Sequence, residues 1–312
     1  MAERGKRIGI VGAGAIGGFY GTLLARAGHD VHFLLRSEYE TVRQQGLMVH
    51  SAVHGALHLD GVQAYRHAEQ MPACDWLLLG AKTTSNAELA PLLGQIAAPG
   101  ARIVSLQNGL GVEDALRPLL PAGLHLLGGL CYVCAYRSAP GVVEHQALGA
   151  VSLAYHSGPA AVGEASAIVE DAVQLFGSSG VNASGLPDLE QARWQKLVWN
   201  APYNGVSVLL DAGTKGLMSH PQSRLLVKTL MEETIRAAAA CGYALPAGLA
   251  DRMLAGTDAM PDYFPSMYHD FKHRRPLELE AIYEVPLSRA VAAGCDMPRT
   301  EMLLQALKFI AR

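Results

Sequence analysis

The chain has 312 residues, half of them hydrophobic, so it can bury a large core and is long enough for two domains. Its formal net charge of −3 argues against an extended basic surface for nucleic acid. The first residues lack the apolar region of a signal peptide, and no uncharged apolar stretch approaches the length of a membrane span. We therefore expect a cytoplasmic protein without nucleic-acid or membrane partners.

A glycine-rich turn near the N-terminus is the strongest motif of the chain. An apolar run over residues 7–11 predicts a buried strand, and the residues after the turn predict a helix. Gly12 permits the turn, Gly14 lets a pyrophosphate approach the backbone, and Gly17 lets the helix pack on the strand. Since the expected strand and helix flank this G-x-G-x-x-G pattern, it predicts a dinucleotide-binding site. The turn comprises Gly12, Ala13, Gly14, Ala15, Ile16 and Gly17.

The second strand indicates which dinucleotide is bound. NAD sites usually have an acidic residue at the carboxyl end of this strand, but Asp30 lies at its beginning, roughly 20 Å from Arg36. Arg36 follows the strand, where a guanidinium can pair with a 2′-phosphate, and the Ser37 hydroxyl is a further donor. The pattern favours NADP(H), and the alternative is a solvated loop arginine.

The remaining elements predict two different halves. Strands expected over 75–81 and 101–106, two extended runs over 127–137 and 149–155, and a helix over 164–177 indicate a doubly wound α/β domain. Beyond residue 187 helical periodicity dominates, over 189–200, 221–241 and 277–293. We thus expect a Rossmann-like α/β domain over 1–186 and an all-α domain over 187–312, with the site in the cleft between them.

Two sets of residues resemble metal or redox motifs, but each has a simpler interpretation. Cys131 and Cys134 form a C-x-x-C pair in a predicted strand, where residues three apart point to opposite faces. His50, His54 and His58 recur every four residues, but Gly55 interrupts them and their surroundings predict a hairpin. Five cysteines also do not form a disulfide framework in a chain of this length. We expect no metal site.

Polar residues at three places are candidates for chemistry. Lys82 and Asn108 follow the third and fourth strands, where an open α/β sheet binds its ligands, although Asn-Gly is also a common turn. Lys196, Asn200 and Asn204 are four residues apart and predict a polar stripe along a helix, which Pro202 would kink before Asn204. A third cluster extends from Ser266 to Glu278 and Glu280. These two carboxylates cannot face one site on a regular helix, and both could instead be ordinary acids at a helix N-terminus.

Taken together, these motifs resemble the ketopantoate reductase (2-dehydropantoate 2-reductase) family over nearly the whole chain. The resemblance implies an N-terminal Rossmann domain that binds NADPH and a helical domain that closes over a small 2-keto acid. The family's glycine loop matches Gly12, Gly14 and Gly17, and its 2′-phosphate arginine matches Arg36. Its lysine after the third strand matches Lys82, and the asparagine of its Asn-Gly turn matches Asn108. Its Lys-x-x-x-Asn-x-x-x-Asn run matches Lys196, Asn200 and Asn204, its Ser-Met pair matches Ser266 and Met267, and its glutamate matches Glu278.

The resemblance also implies roles for these residues. Lys196 would be the general acid and Glu278 would orient it, while Asn200, Asn204 and Ser266 would bind the substrate. Asn108 would lie beside the nicotinamide or the reacting oxygen. Two short segments of the chain depart from the family pattern: Ala-Pro-Tyr-Asn-Gly around Asn204 and Leu-Glu-Leu-Glu around Glu278.

Because of these departures, three functions stay open: reduction of ketopantoate to pantoate, the same reaction on another 2-keto acid, and a non-catalytic NADP(H) sensor. A pocket altered by Tyr203 and Tyr268 would favour the second. A sensor would be expected to lose the proton donor or its orienting acid, but both Lys196 and Glu278 are present. A homodimer through the helical domain is compatible with the sequence.

Overall fold

The computed structural model describes residues 6–161 and 163–311. Its chain divides into two compact units, one of Met1–Gln107 with Val112–Leu189 and one of Asn108–Gly111 with Glu190–Arg312. The first unit contains the strands, which are β1 (Arg7–Val11), β2 (Asp30–Leu34), β3 (Leu47–Ser51), β4 (Gly55–Leu59), β5 (Gln63–Tyr65), β6 (Cys74–Leu79), β7 (Ala97–Ser105), β8 (His125–Ala139), β9 (Val142–Ser157) and β10 (Ala183–Gly185).

These strands form a single sheet in the order β4-β3-β9-β8-β7-β6-β1-β2-β5, with β10 paired to β9. Pairing is parallel from β5 through β2, β1, β6 and β7 to β8, and it is antiparallel in the β8–β9 and β3–β4 hairpins. Because β2 and β6 lie on opposite sides of β1, the chain changes direction across the sheet at the carboxyl end of β1. In doubly wound sheets this is the position where ligands bind.

The helices of the first unit cover the sheet. They are α1 (Ala15–Arg26), α2 (Tyr39–Gln45), α3 (Asn86–Ile96), α4 (Val112–Leu116) and α5 (Glu164–Gly177). One apolar cluster packs α1 and α5 on the sheet around Phe19, Tyr20 and Phe176, and another packs α3 around Leu79 and Leu93. Two buried apolar layers therefore hold this unit together, as expected for a parallel sheet covered on both faces.

Among its described residues, the second unit contains helices and the loops that connect them. Its helices are α6 (Leu189–Leu210, assigned to this unit from Glu190), α7 (Thr214–Ser219), α8 (Pro221–Ala240), α9 (Leu249–Ala259), α10 (Ser266–Lys272), α11 (Val285–Ala292) and α12 (Pro298–Ile310). A buried cluster around Trp194, Tyr203 and Tyr283 forms its core. The predicted α/β Rossmann-like region followed by an all-α region is confirmed.

Three sets of predicted elements are present but differ in their bounds or geometry. The strands predicted over 127–137 and 149–155 are longer, because β8 and β9 pair along nearly their whole length. Helix α6 continues through Pro202 to Leu210 instead of ending near 200. A five-residue π-helical turn, Glu280–Glu284, precedes α11 where a regular helix from 277 was expected. The last two differences lie next to candidate site residues.

Candidate functional site

The glycine turn after β1 has the backbone that its sequence predicts. Gly12 has φ +89°, and a Cβ there would lie 2.4 Å from the amide nitrogen of Ala81. A Cβ on Gly17 would lie 2.2 Å from the carbonyl oxygen of Gly12. Only glycine fits at these two positions, so their conformation brings the end of β1 directly against the start of α1.

Gly14 differs from Gly12 and Gly17. Its φ of −67° is ordinary, and no heavy atom of the described residues lies within 4 Å of a Cβ built on it. Gly14 precedes α1, so the first amides of that helix, on Ala15, Ile16 and Gly17, have no partner within it. Open space beside a helix N-terminus is the setting in which backbone amides bind phosphate.

Arg36 lies just beyond β2, as predicted, but its guanidinium has a protein partner. Its Nη1 donates to both carboxylate oxygens of Glu88 on α3, at 2.9 and 3.0 Å. Both side chains are well exposed, at 64% for Arg36 and 61% for Glu88. Asp30 is at the other end of β2, where Gln63 and His32 contact its carboxylate. Asp30 is therefore remote from the carboxyl end of β2, where Arg36 lies.

A buried pair of amides supports the segment that carries Lys82. The Gln107 side chain donates to the carbonyl oxygen of Ala81 at 2.9 Å and to Asn86 Oδ1 at 2.7 Å, and it accepts a hydrogen bond from Asn86 Nδ2 at 3.2 Å. These bonds tie the end of β7 to the loop after β6, and Lys82 is half-buried within that loop. The role of Asn86 is not evident from the sequence, because nothing in its spacing of 21 residues from Gln107 indicates a contact.

In the helical unit, Lys196 and Asn108 are in direct contact. Lys196 Nζ donates a hydrogen bond of 2.7 Å to Asn108 Oδ1. Asn108 is held here because the amide of Leu110 donates to the carbonyl oxygen of Ala281 at 2.8 Å. Gly109, with φ +108°, packs so closely that a Cβ would lie 2.5 Å from that of Ala281. The Asn-Gly turn is therefore a part of the site built with α6.

The two asparagines of α6 have different environments. Asn204 is 2% exposed, its Nδ2 donates to the carbonyl oxygen of Asn200, and its Oδ1 accepts from the amide of Met267 at 3.0 Å. This last bond fixes the first turn of α10, where Ser266 lies half-buried. The side-chain amide of Asn200 has no hydrogen bond to the residues that the structure describes. Asn200 is thus available to a ligand, whereas Asn204 joins two helices.

The Tyr283 hydroxyl contacts the backbone of α6 at Ala201, the residue before Pro202. It donates to the carbonyl oxygen of Ala201 at 2.8 Å and also has a hydrogen bond with the backbone of Gly205. These are the two groups that would pair with each other in a regular helix. Tyr283 belongs to the π-helical turn, so that turn supports the stretch of α6 between Asn200 and Asn204. Sequence analysis did not identify Tyr283, since no motif links it to α6.

Glu278 and Glu280 have opposite environments. Glu278 is 4% exposed and precedes the helical turn that leads into α11, whereas Glu280 is exposed. Glu278 does precede a helical turn, as the interpretation of an acid at a helix N-terminus expects, but it is buried there. A buried carboxylate requires polar or charged neighbours, and such groups are concentrated at functional sites.

The histidines and cysteines that resemble metal or redox motifs lie in ordinary strands and turns. The three histidines at 50, 54 and 58 belong to the predicted hairpin, which β3 and β4 form in antiparallel register. Cys131 and Cys134 are both buried on β8, and burial raises the pKa of the Cys134 thiol to about 11. Within 6–161 and 163–311, no group of three His, Cys, Asp or Glu side chains could hold a metal ion. No helix in these ranges has the length and hydropathy to cross a membrane.

Two models of one protein family match the chain. Residues 8–158 match ketopantoate reductase PanE/ApbA, and residues 188–311 match ketopantoate reductase PanE/ApbA C terminal. The two matches follow the chain in the same order as the sheet-containing unit and the helical unit.

Individual relatives agree with this. A 2-dehydropantoate 2-reductase of Nostoc sp. is 40% identical over 309 residues, which cover 98% of this chain and 95% of the relative. The crystal structure of 2-dehydropantoate 2-reductase from Geobacter metallireducens has a TM-score of 0.90 at 40% identity, covering 97% of this chain and 99% of that one. The corresponding structure from Methylococcus capsulatus has a TM-score of 0.83 at 32% identity, with 97% and 96% covered. The chain belongs to the ketopantoate reductase family and is an oxidoreductase.

Proposed function

We propose that this protein reduces 2-dehydropantoate (ketopantoate) to pantoate with NADPH, as a step of pantothenate and coenzyme A biosynthesis. The observation that carries the proposal is the hydrogen bond between Lys196 Nζ and Asn108 Oδ1. It holds a proton donor in a fixed direction, next to other polar groups on α6. General acid catalysis of ketone reduction needs such a donor.

The first unit has the features that NADPH requires. Open space at Gly14 and the free amides at the start of α1 suit the pyrophosphate. The exposed guanidinium of Arg36 suits the 2′-phosphate, because arginine forms strong charge-assisted hydrogen bonds with phosphate. Lys82, on the loop after β6, adds a positive charge at the same edge of the sheet.

The proposed chemistry divides between the cofactor and the protein. Bound NADPH supplies the hydride that the ketone carbon accepts. Lys196 polarises the carbonyl oxygen and then gives its proton to the alkoxide, which becomes the hydroxyl of the product, and water reprotonates the amine. Asn108 orients the ammonium by accepting its hydrogen bond.

The remaining site residues would bind and orient the substrate. Asn200, one helical turn beyond Lys196, offers an amide for the carboxylate or hydroxyl of the keto acid. Ser266 offers a hydroxyl from the start of α10. Asn204 would contribute by holding that turn through the Met267 amide, and Glu278 by orienting Lys196 and accepting a hydrogen bond from the substrate hydroxyl.

The decisive experiment follows loss of NADPH absorbance with ketopantoate and with 2-keto acids whose side chains differ in size and charge. We expect the highest kcat/KM with ketopantoate and a much lower value when NADH replaces NADPH. Higher kcat/KM with another keto acid would replace the substrate assignment and retain the reaction. Binding of NADPH without turnover of any keto acid would instead support a sensor.

Tyr203 bears on the alternative of a different keto acid. It is fully buried in the core of the helical unit, and its hydroxyl contacts Met218 Sδ at 3.0 Å. A side chain in that position fills the core and does not line a pocket. The unusual sequence before Asn204 is therefore no argument for a different substrate.

A further inference from the structure

The partner of Arg36, Glu88, lies on the first turn of α3 and has no role in the reaction proposed above. Both of its carboxylate oxygens are within 3.0 Å of Arg36 Nη1, so they occupy one of the guanidinium nitrogens that a 2′-phosphate would contact. The two side chains are mostly exposed. An ion pair of this kind is weak, because water and salt screen it, and a competing anion can displace it.

The position of the pair in the sheet gives it a specific relation to the dinucleotide site. Arg36 follows β2 and Glu88 follows β6, and these strands flank β1 on its two sides. Strands two places apart are separated by about 10 Å, so the pair crosses the sheet at the strand that ends in the glycine turn. A dinucleotide bound at that turn would meet both side chains.

We propose that Glu88 is a specificity-determining residue that limits the preference for NADPH over NADH. This inference rests on the proposed NADP(H) site at Arg36. The carboxylate competes with the 2′-phosphate, which carries nearly two negative charges, for the Arg36 guanidinium. NADH has a 2′-hydroxyl in place of the phosphate and does not need Arg36 to be released. Glu88 therefore weakens NADPH binding selectively.

The test is the dissociation constant of each nucleotide for the wild-type protein and for Glu88→Gln, measured by NADPH and NADH fluorescence without substrate. Glutamine keeps the size of the side chain and removes its charge. We expect NADPH to bind roughly three- to tenfold more tightly to the variant, in keeping with the weakness of exposed ion pairs, and NADH to change by less than about twofold.

Two further variants separate this mechanism from simpler ones. Glu170→Gln makes the same charge change at an exposed position on α5 and should change neither constant. In an Arg36→Ala background, Glu88→Gln should lose most of its effect, because the residue for which Glu88 competes is gone. An unchanged or weaker NADPH affinity in Glu88→Gln, an equal gain for NADH, or a full gain without Arg36 would each overturn the inference.

Failure of the proposed function has a different signature. Absence of turnover with every keto acid overturns the reductase activity but leaves the binding constants measurable. A wild-type protein that binds NADH more tightly than NADPH overturns the cofactor assignment, whereas the inference concerns the change that Glu88→Gln produces. A wild-type protein that binds neither nucleotide overturns both.

Discussion

Asn108 Oδ1 accepts a 2.7 Å hydrogen bond from Lys196 Nζ, and the two residues are 88 positions apart in the sequence. The bond is possible because Asn108–Gly111 leaves the end of β7 and packs with the helical unit. Gly109 and Leu110 fix this segment against Ala281, which belongs to the π-helical turn. Lys196 is thus oriented by a loop that depends on the same turn that supports α6.

Replacing Lys196 by alanine tests the general acid. We expect kcat with ketopantoate to fall roughly 10²- to 10⁴-fold, since the alkoxide would have to be protonated by water. The dissociation constant of NADPH should stay close to that of the wild type. Lys228→Ala, which removes an exposed ammonium from α8, is the matched control and should retain full activity. Near-normal turnover by Lys196→Ala would refute the assignment.

Asn108 should act through Lys196. Asn108→Ala removes a hydrogen bond to a charged group, worth about 1.5–3 kcal/mol, and we expect kcat/KM to fall roughly 10- to 150-fold. In the double variant with Lys196→Ala, the loss should be close to that of Lys196→Ala alone, because the orienting bond no longer has a donor. Additive losses in this cycle would mean that Asn108 acts independently of the lysine.

Sequence reasoning was most successful where local patterns determine structure. The glycine turn, the β3–β4 hairpin and α5 follow from residues close together in the chain, and all three have the predicted conformation. The path of α6 through Pro202 could not be predicted in this way. Beside this proline the Ala201 carbonyl accepts a hydrogen bond from the Tyr283 hydroxyl, which comes from a distant segment of the chain.

In the candidate site, too, local patterns were predictable and contacts between distant segments were not. Spacing correctly grouped Lys196 with Asn200 on one helix, but it could not show that Asn204 joins α6 to α10 through its Oδ1. Likewise, the position of Arg36 follows from the end of β2, whereas its pairing with Glu88 depends on strand order. Contacts between segments far apart in sequence require the tertiary structure.

Two alanine substitutions in the glycine turn should have opposite effects. Gly17→Ala places a Cβ against the Gly12 carbonyl, which cannot move away, so we expect a loss of about 1–3 kcal/mol in the free energy of unfolding. Gly14→Ala meets no protein atom among the described residues, and its stability should change by less than about 1 kcal/mol. Its methyl group would instead occupy the pyrophosphate space, so NADPH affinity should fall at least about tenfold.

Chemical denaturation and NADPH fluorescence distinguish these two effects. The predicted pattern is an unstable Gly17→Ala protein and a stable Gly14→Ala protein that binds nucleotide poorly. If Gly14→Ala binds NADPH as tightly as the wild type does, the pyrophosphate does not lie against Gly14.

Arg36→Ala should separate the two nicotinamide nucleotides. Loss of charge-assisted hydrogen bonds to the 2′-phosphate should weaken NADPH binding roughly 10- to 150-fold, while NADH should change by less than about threefold. Arg66→Ala, at another exposed ion pair of the first unit, provides the control. Equal weakening of both nucleotides would show that Arg36 contacts a part that they share, and would contradict its 2′-phosphate role.

Tyr283→Phe tests whether the contact of its hydroxyl with the backbone of α6 matters for catalysis. The substitution keeps the ring in the core and removes only the hydroxyl, leaving the Ala201 carbonyl and the Gly205 amide without their shared partner. We expect a loss of about 1–3 kcal/mol in unfolding free energy. If the Ala201 carbonyl and the Gly205 amide then bond to each other, this part of α6 shortens and Asn200 and Asn204 shift. KM for ketopantoate should rise, with little change in NADPH affinity.

Tyr203→Phe is the matched control for this experiment, because Tyr203 is equally buried in the same core and its hydroxyl contacts the Met218 sulfur. Sulfur is a weak acceptor, so its loss should cost less stability and leave KM unchanged. A rise in KM for Tyr283→Phe alone would link the hydroxyl to substrate binding. An equal loss of stability in both variants, without any change in KM, would limit Tyr283 to core packing.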